Sequence, residues 1–468
     1  MRSTGRSSRT AAVAAGTALL LGGLAGCGGA ADASEHDTGA VTVMTWAPEE
    51  GTVGSQAGMP ALATAIAKDF NATGGIGGHQ VQVLTCDEHN TSAGAVGCAN
   101  EAVAKKAVAV VGSYSQFGSD FMPLLESADI PYLGGFGLSA EEFSSIYSYP
   151  VNGGYRTLLA GNGEQLVRAG CHRVAVVRPQ SPIGDTMLGS LKAGLSTGQV
   201  TTVDVPVNSG LTGYTDAAVR AIGGDQPGNC VTTALDPAST ATFFDDYRRQ
   251  GTQHTQLSSV IGSVQQSLVD STGGASGPLQ SLLATGWYPP DSSPVWNSLH
   301  ALVKTYAFTD NRINTADPGE ETTWIAYEVL RKVVSGMTGS ITAKSVRIAL
   351  DSSGPIDTGG QTPPLSWGIN DQLPLATAPR LVNTRVTFLG VRNGQLSEST
   401  SWADWPAQSS VADSFGSPVS AAMAFHSRDA FALAVLAVPL ASSAALRPPF
   451  LGLLFFAQLP LDSAAQEA

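Results

Sequence analysis

Short apolar runs alternate with segments of helical period along most of this chain, and they do so in two successive sets. Residues 41–46 form the first strand-like run; Met59, Leu62, Ile66 and Phe70 then recur at helical spacing, and residues 81–84 are strand-like again. Helical segments at 93–106 and 121–128 flank the continuous apolar run 107–111, and a short strand begins at Pro131. Continuously apolar strands are buried on both faces, and helices between them make their neighbours parallel. The second set begins near Tyr155. It carries helices at 158–169, 186–195, 215–222 and 240–249, with strands at 174–177, 200–205, 231–234 and 258–261. At Trp287-Tyr288-Pro289-Pro290 the pattern breaks, and two strong helices over 295–306 and 322–334 return to the first set. The pattern predicts an α/β protein with two doubly wound, parallel-sheet lobes.

The N-terminus lies outside this pattern. Arg2, Arg6 and Arg9 precede the uncharged, mostly apolar stretch 11–24, which is shorter than the roughly 20 residues that span a bilayer. Residues 1–26 read as a signal peptide. Leu24-Ala25-Gly26-Cys27 resembles the bacterial lipobox, which implies diacylation of Cys27 and cleavage before it, and two acyl chains suffice for a stable anchor. Residues 27–40 are then a flexible tether. The expected location is the outer face of the cell membrane, lipid-anchored and extracytoplasmic.

Charge agrees with export and excludes one class of partner. Lys and Arg number 25 against 38 Asp and Glu. Without the three signal arginines the mature chain carries about sixteen net negative charges, so nucleic acid is not an expected partner. Four cysteines follow Cys27, an even count that favours disulfides in an exported chain. Cys86 ends a strand-like run and Cys98 lies on the next helix; Cys171 and Cys230 each precede a strand. The expected pairs are Cys86 with Cys98 and Cys171 with Cys230, the alternative being free buried thiols. No Cys-x-x-Cys or neighbouring His suggests zinc or redox chemistry.

Catalytic signals are weak. The cluster Gly74 to Gly78 ends a helix and opens a strand, the reverse of a phosphate-binding loop, so it reads as a helix cap and turn. Gly194-Leu195-Ser196-Thr197-Gly198 matches the hydrolase pattern but falls at a helix end rather than between strand and helix. The seven histidines are scattered without metal-ligand spacing. No catalytic residue, metal or cofactor is expected.

Several ordered pieces carry a family resemblance. Asn71-Ala72-Thr73-Gly74-Gly75-Ile76-Gly77-Gly78 precedes a strand ending in Cys86-Asp87; Val110-Val111-Gly112-Ser113, Ile130-Pro131 and Ser139-Ala140-Glu141-Glu142-Phe143 follow. Their order and spacing resemble leucine/isoleucine/valine-type (branched-chain amino acid family) solute-binding proteins of the type I periplasmic binding fold, over residues 40–415. The resemblance implies two lobes joined by a three-strand hinge, with crossovers near Val151, Pro290 and Leu373. Lobe 1 would comprise 41–151 and 290–372, and lobe 2 would comprise 152–289 and 373–415.

In that family, hydroxyls and backbone N–H groups of the first lobe hold a ligand carboxylate. The matching positions here are Ser115 and Gln116 after one strand, and Phe136, Gly137 and Ser139 after the next. Trp46 and Tyr114 either join them at the cleft or pack in the core. The second lobe departs from the family pattern: Ile183 stands where an aromatic is common, and Gln265 stands where an acid for the ligand ammonium is expected. Asp236 either faces the cleft or caps the helix from Thr240. The implied function is the solute-binding component of an ABC importer, a monomer capturing a small carboxylate-bearing solute of the amino acid or amide class for a membrane permease. Alternatives are a ligand-sensing lipoprotein of the same fold and, less in keeping with the pattern, a surface hydrolase using Ser196. Residues 416–468 are Ala-rich and apolar, and their Pro residues break any span. They read as an extended or frameshifted reading frame outside the fold, the alternative being a membrane-associating tail.

Overall fold

The computed structural model describes residues 39–49, 54–372, 375, 377–399 and 408–415. Cys27, the preceding signal, most of the tether and the apolar tail lie outside them.

The first sheet is built from β1 (Val41–Ala47), β2 (Val81–Asp87), β3 (Ala109–Val111), β4 (Tyr132–Leu133) and β5 (Ser148–Tyr149), in the order β2-β1-β3-β4-β5 and wholly parallel. Its crossovers are α1 (Gly58–Ala72), α2 (Ser92–Ala104), α3 (Gly118–Ser127) and the short α4 (Glu141–Ser144). Period-two alternation along β1 decides which helix covers which face. Val41 and Val43 pack with Leu62, Ile66 and Phe70 of α1, while Met44 and Trp46 pack with Ala95, Cys98, Phe121 and Leu125 of α2 and α3. The glycines after α1 form the expected cap and turn. Gly75 has φ +81°, and a Cβ there would meet the His79 carbonyl oxygen at 2.0 Å, so only glycine fits.

α5 (Gly154–Arg168) leads into the second sheet, whose parallel strands are β6 (Arg173–Pro179), β7 (Thr201–Val207), β8 (Asn229–Thr233), β9 (Gln256–Val260) and β10 (Leu283–Gly286). They alternate with α6 (Pro182–Leu195), α7 (Thr215–Ile222), α8 (Pro237–Arg249) and α9 (Gln266–Ser271). Val174 and Val176 face α5 and α6; Ala175, Val177 and Val231 face α7 and α8. Next come α10 (Asn297–Tyr306), α11 (Pro318–Ser335) and α12 (Ala343–Ser352), of which α10 and α11 pack on α1 of the first lobe. The chain then returns to the second sheet as β11 (Arg385–Arg392), β12 (Gln395–Glu398) and β13 (Gln408–Ser410), each pairing antiparallel. The second sheet is therefore mixed, not purely parallel.

Both disulfides are present as expected, Cys86–Cys98 and Cys171–Cys230, with Cα separations of 5.7 and 5.9 Å. Three connections join the lobes and bond to one another. Asn152 donates to the Tyr288 hydroxyl and to Thr322, Asn383 donates to the Val151 carbonyl, and the Trp287 indole donates to the Gly154 carbonyl. Among the described residues, no helix is long and apolar enough to cross a membrane.

Candidate functional site

The carboxyl ends of both sets of parallel strands face one cleft, where open α/β sheets place ligands. A cavity of about 380 Å³ lies there, walled by both lobes. The first lobe supplies Tyr114, Phe136 and Leu138 from the loops after β3 and β4; the second supplies Leu158 and Leu159 of α5 and Ile183 and Met187 of α6. Tyr114 meets Phe136 at a tilt, with ring centroids 4.9 Å apart, and Phe136 meets Trp287 edge-on at 5.2 Å, giving one continuous aromatic wall. The remaining polar lining is sparse and includes no Lys, Arg or His.

The residues expected at the ligand divide sharply. Gln116, Phe136, Ile183 and Asp236 line the cavity. Gln116 spends its amide on Asn90 Oδ1 at 2.8 Å. Asp236 lines the cavity and also caps α8: Oδ1 accepts the Ser239 N–H at 2.9 Å, while Oδ2 is buried with no partner among the described residues.

The other five expected residues lie outside the cavity lining. Trp46 is fully buried and packs on Phe121 and Tyr132, at 5.2 and 5.9 Å, because its place in β1 turns it toward α2 and α3. Ser115 is buried beneath the wall and accepts the Phe117 N–H. Gly137 and Ser139 are closed off by a residue of the same chain. The Gly137, Leu138 and Ser139 N–H groups each donate to the Glu142 carboxylate at 2.9 Å, and the Ser139 hydroxyl donates at 3.2 Å. An internal carboxylate thus fills the anion nest that the resemblance assigned to ligand. Burial pushes Glu142 up to about 7 against the pull of these donors.

Gln265, finally, bridges the lobes at the cleft's edge. It donates to Asp317 Oδ2 at 2.9 Å and accepts from the Asn314 amide at 3.1 Å. Asp317 also caps α11 through the Gly319 N–H, and desolvation pushes its carboxyl up to about 6. Asp317, Trp287 and the α5 leucines were not identified from sequence. An Asp-Pro pair before a strong helix is the signal for the first, and the aromatic pair at the lobe crossover for the second.

Ser196 ends α6 with its exposed hydroxyl bonded to the Ala193 carbonyl, far from any nucleophile-elbow geometry. Among the described residues, no group of three His, Cys, Asp or Glu side chains is placed to hold a metal.

A family model described as a periplasmic binding protein matches residues 41–373. Solved structures share the fold. A branched-chain amino acid ABC transporter protein from Thermus thermophilus with bound valine has TM-score 0.63 at 18% identity, covering 76% of this chain and 94% of that one. A solute-binding protein from R. palustris in complex with benzoate has TM-score 0.61 at 15% identity, over 76% and 94%. A fatty acid ABC transporter substrate-binding protein from Thermomonospora curvata has TM-score 0.61 at 14% identity, over 79% and 95%. No curated protein sequence matches the chain.

Proposed function

Because the chain belongs to the periplasmic binding protein family, a family of extracytoplasmic binding proteins rather than enzymes, we propose that it is the solute-binding component of an ABC importer, closing two lobes over one small molecule. The observation that carries this reading is the cavity walled from both sides of the three lobe connections. A ligand touching both walls favours the closed form by its differential contacts, and the closed form engages the permease. The proposed lobes are 41–151 with 290–372 and 152–289 with 373–415. The protein acts as a monomer held at the outer membrane face by lipid on Cys27.

The relatives named above take valine, benzoate and fatty acids, so the fold admits solutes with substantial apolar bodies. The lining here suits such a body. Amino-acid and amide solutes fit through their N–H groups. A ligand carboxylate finds its expected donors already committed to Glu142.

Native mass spectrometry of protein purified from its source tests the reading. A retained small molecule whose removal lowers the melting temperature is expected, since binding to the native state stabilises by mass action. Failure to retain any solute, together with no thermal shift across a broad metabolite panel, would overturn it.

Gln265→Ala removes both side-chain hydrogen bonds of the bridge to Asp317 and Asn314. Solution scattering is expected to show a larger radius for the ligand-free variant than for wild type, with ligand affinity about tenfold weaker, on the order of one lost interlobe hydrogen bond to a charged group. An unchanged radius would place the closing force elsewhere.

A further inference from the structure

The chemistry of the cavity narrows the solute further, on the premise that this cleft is the solute site. We propose that the solute is an organic amine or ammonium with an apolar body of roughly a dozen non-hydrogen atoms, its cationic head against Asp236 and its body along the Tyr114–Phe136–Trp287 wall.

Asp236 Oδ2 is the first ground. It is a carboxylate oxygen removed from solvent, on a residue that lines the cavity, and no donor among the described residues reaches it. A buried acceptor left unmade is costly, and a ligand N–H is the group it lacks. The second oxygen is fixed by the cap of α8, so the orphan's position is set by the helix and not by a free rotor.

The charge around the cavity points the same way. Asp236 approaches from the second lobe and Asp317 from the first, with no basic side chain in the lining to balance either. The Tyr114 hydroxyl is raised by Asp317, Asp236, Glu88 and Glu142 together, after burial, and by no compensating cation. A ligand anion would meet these carboxyl groups with no cation among the lining residues to offset them. The donors that the resemblance assigned to a ligand anion are spent, the nest on Glu142 and Gln116 on Asn90, and the Ser263 hydroxyl bonds the Leu235 carbonyl.

The aromatic wall is the third ground. Ring faces attract a desolvated cation, and the wall continues as apolar surface through Leu158 and Ile183, which suits the remainder of an amphipathic amine. At roughly 30 Å³ for a packed water-sized unit, a 380 Å³ cavity holds about a dozen such units.

Calorimetry with three matched probes on the full chain tests the assignment: phenethylamine, 3-phenylpropionate and 3-phenylpropanamide. The amine is expected to bind at least tenfold more tightly than the carboxylate. Asp236→Asn preserves the helix cap, since Asn caps as well as Asp. That variant is expected to weaken the amine at least tenfold while changing the neutral amide less than threefold. Tighter binding of the carboxylate, or an amine affinity indifferent to Asp236→Asn, would overturn the assignment. So would a source-purified protein that retains a solute without a basic nitrogen, and that result would leave the solute-binding reading standing. A protein that retains nothing and responds to no solute class would remove both.

Discussion

Replacing Glu88 with glutamine is expected to stabilise the protein above pH 8 by roughly 3–5 kcal/mol, while slightly weakening it below pH 5. Glu88 follows β2 and is wholly buried, with neither carboxylate oxygen hydrogen-bonded. Desolvation pushes its pKa from 4.5 up to about 8; the Ser115 hydroxyl opposes this, and Glu142 and Asp87 add to it. In the unfolded chain the same group ionises near 4.5. As pH rises from there to about 8, the unfolded state sheds a proton that the native state retains. Its contribution is therefore complete below pH 4.5, declines through this window, and becomes a constant penalty above it. At about 1.4 kcal/mol for each tenfold change in proton affinity, the gap amounts to several kcal/mol. Glutamine has nearly the same shape and no proton to lose, so the penalty disappears. It still leaves its amide unpartnered, which accounts for the small loss in acid. Urea unfolding at pH 5, 7 and 9 reads the effect, with the two stability curves crossing. Parallel curves would mean that Glu88 ionises at its ordinary pKa in the native state.

What could be read in advance, and what could not, follows from how each feature is encoded. Long elements were legible because periodicity reports burial, and the Met59-Leu62-Ile66-Phe70 spacing marks α1 as plainly as the alternation of Val43 and Met44 marks β1. Both disulfides were legible because each cysteine stands beside a strand-like or helical run that the sequence marks. β5, only Ser148–Tyr149, has too few residues to show a period, and its place is fixed by pairing with β4. The antiparallel β11–β13 ribbon is set by which sheet the chain returns to after α12, a tertiary choice without a local signal.

The site was half legible for a related reason. Loops after strands can be located from sequence, and Gln116, Phe136, Ile183 and Asp236 were found that way. Whether a backbone N–H in such a loop is free depends on which side chain has reached it first. Ser139-x-x-Glu142 has the form of a capping box, in which the third residue turns back onto the helix start. That pattern conflicts with a ligand carboxylate at Gly137 and Ser139, and the free oxygen of Asp236 is the open polar position that the occupied nest is not.

The largest loss of stability is expected from Cys171→Ser with Cys230→Ser. Cys171 enters β6 from α5 and Cys230 lies within β8, one strand over, where its register partner is Val174. Their bond closes 59 residues of chain, including β6, α6, β7 and α7. Loop-closure entropy of that length corresponds to about 4 kcal/mol, against about 3 for the 12-residue separation of Cys86 and Cys98. The double variant is expected to melt several degrees lower, and reductant to lower wild type toward it while leaving the variant's second-lobe transition in place. Consequences for binding should be ordered the other way. Cys86–Cys98 anchors the end of β2, from which the chain runs through the buried Glu88 to Asn90 at the cavity and its hydrogen bond with Gln116. Cys86→Ser with Cys98→Ser is therefore expected to weaken ligand affinity more than Cys171→Ser with Cys230→Ser does, despite the smaller stability cost. Equal affinities in the two variants would show that the Asn90–Gln116 edge of the cavity holds its form without the disulfide.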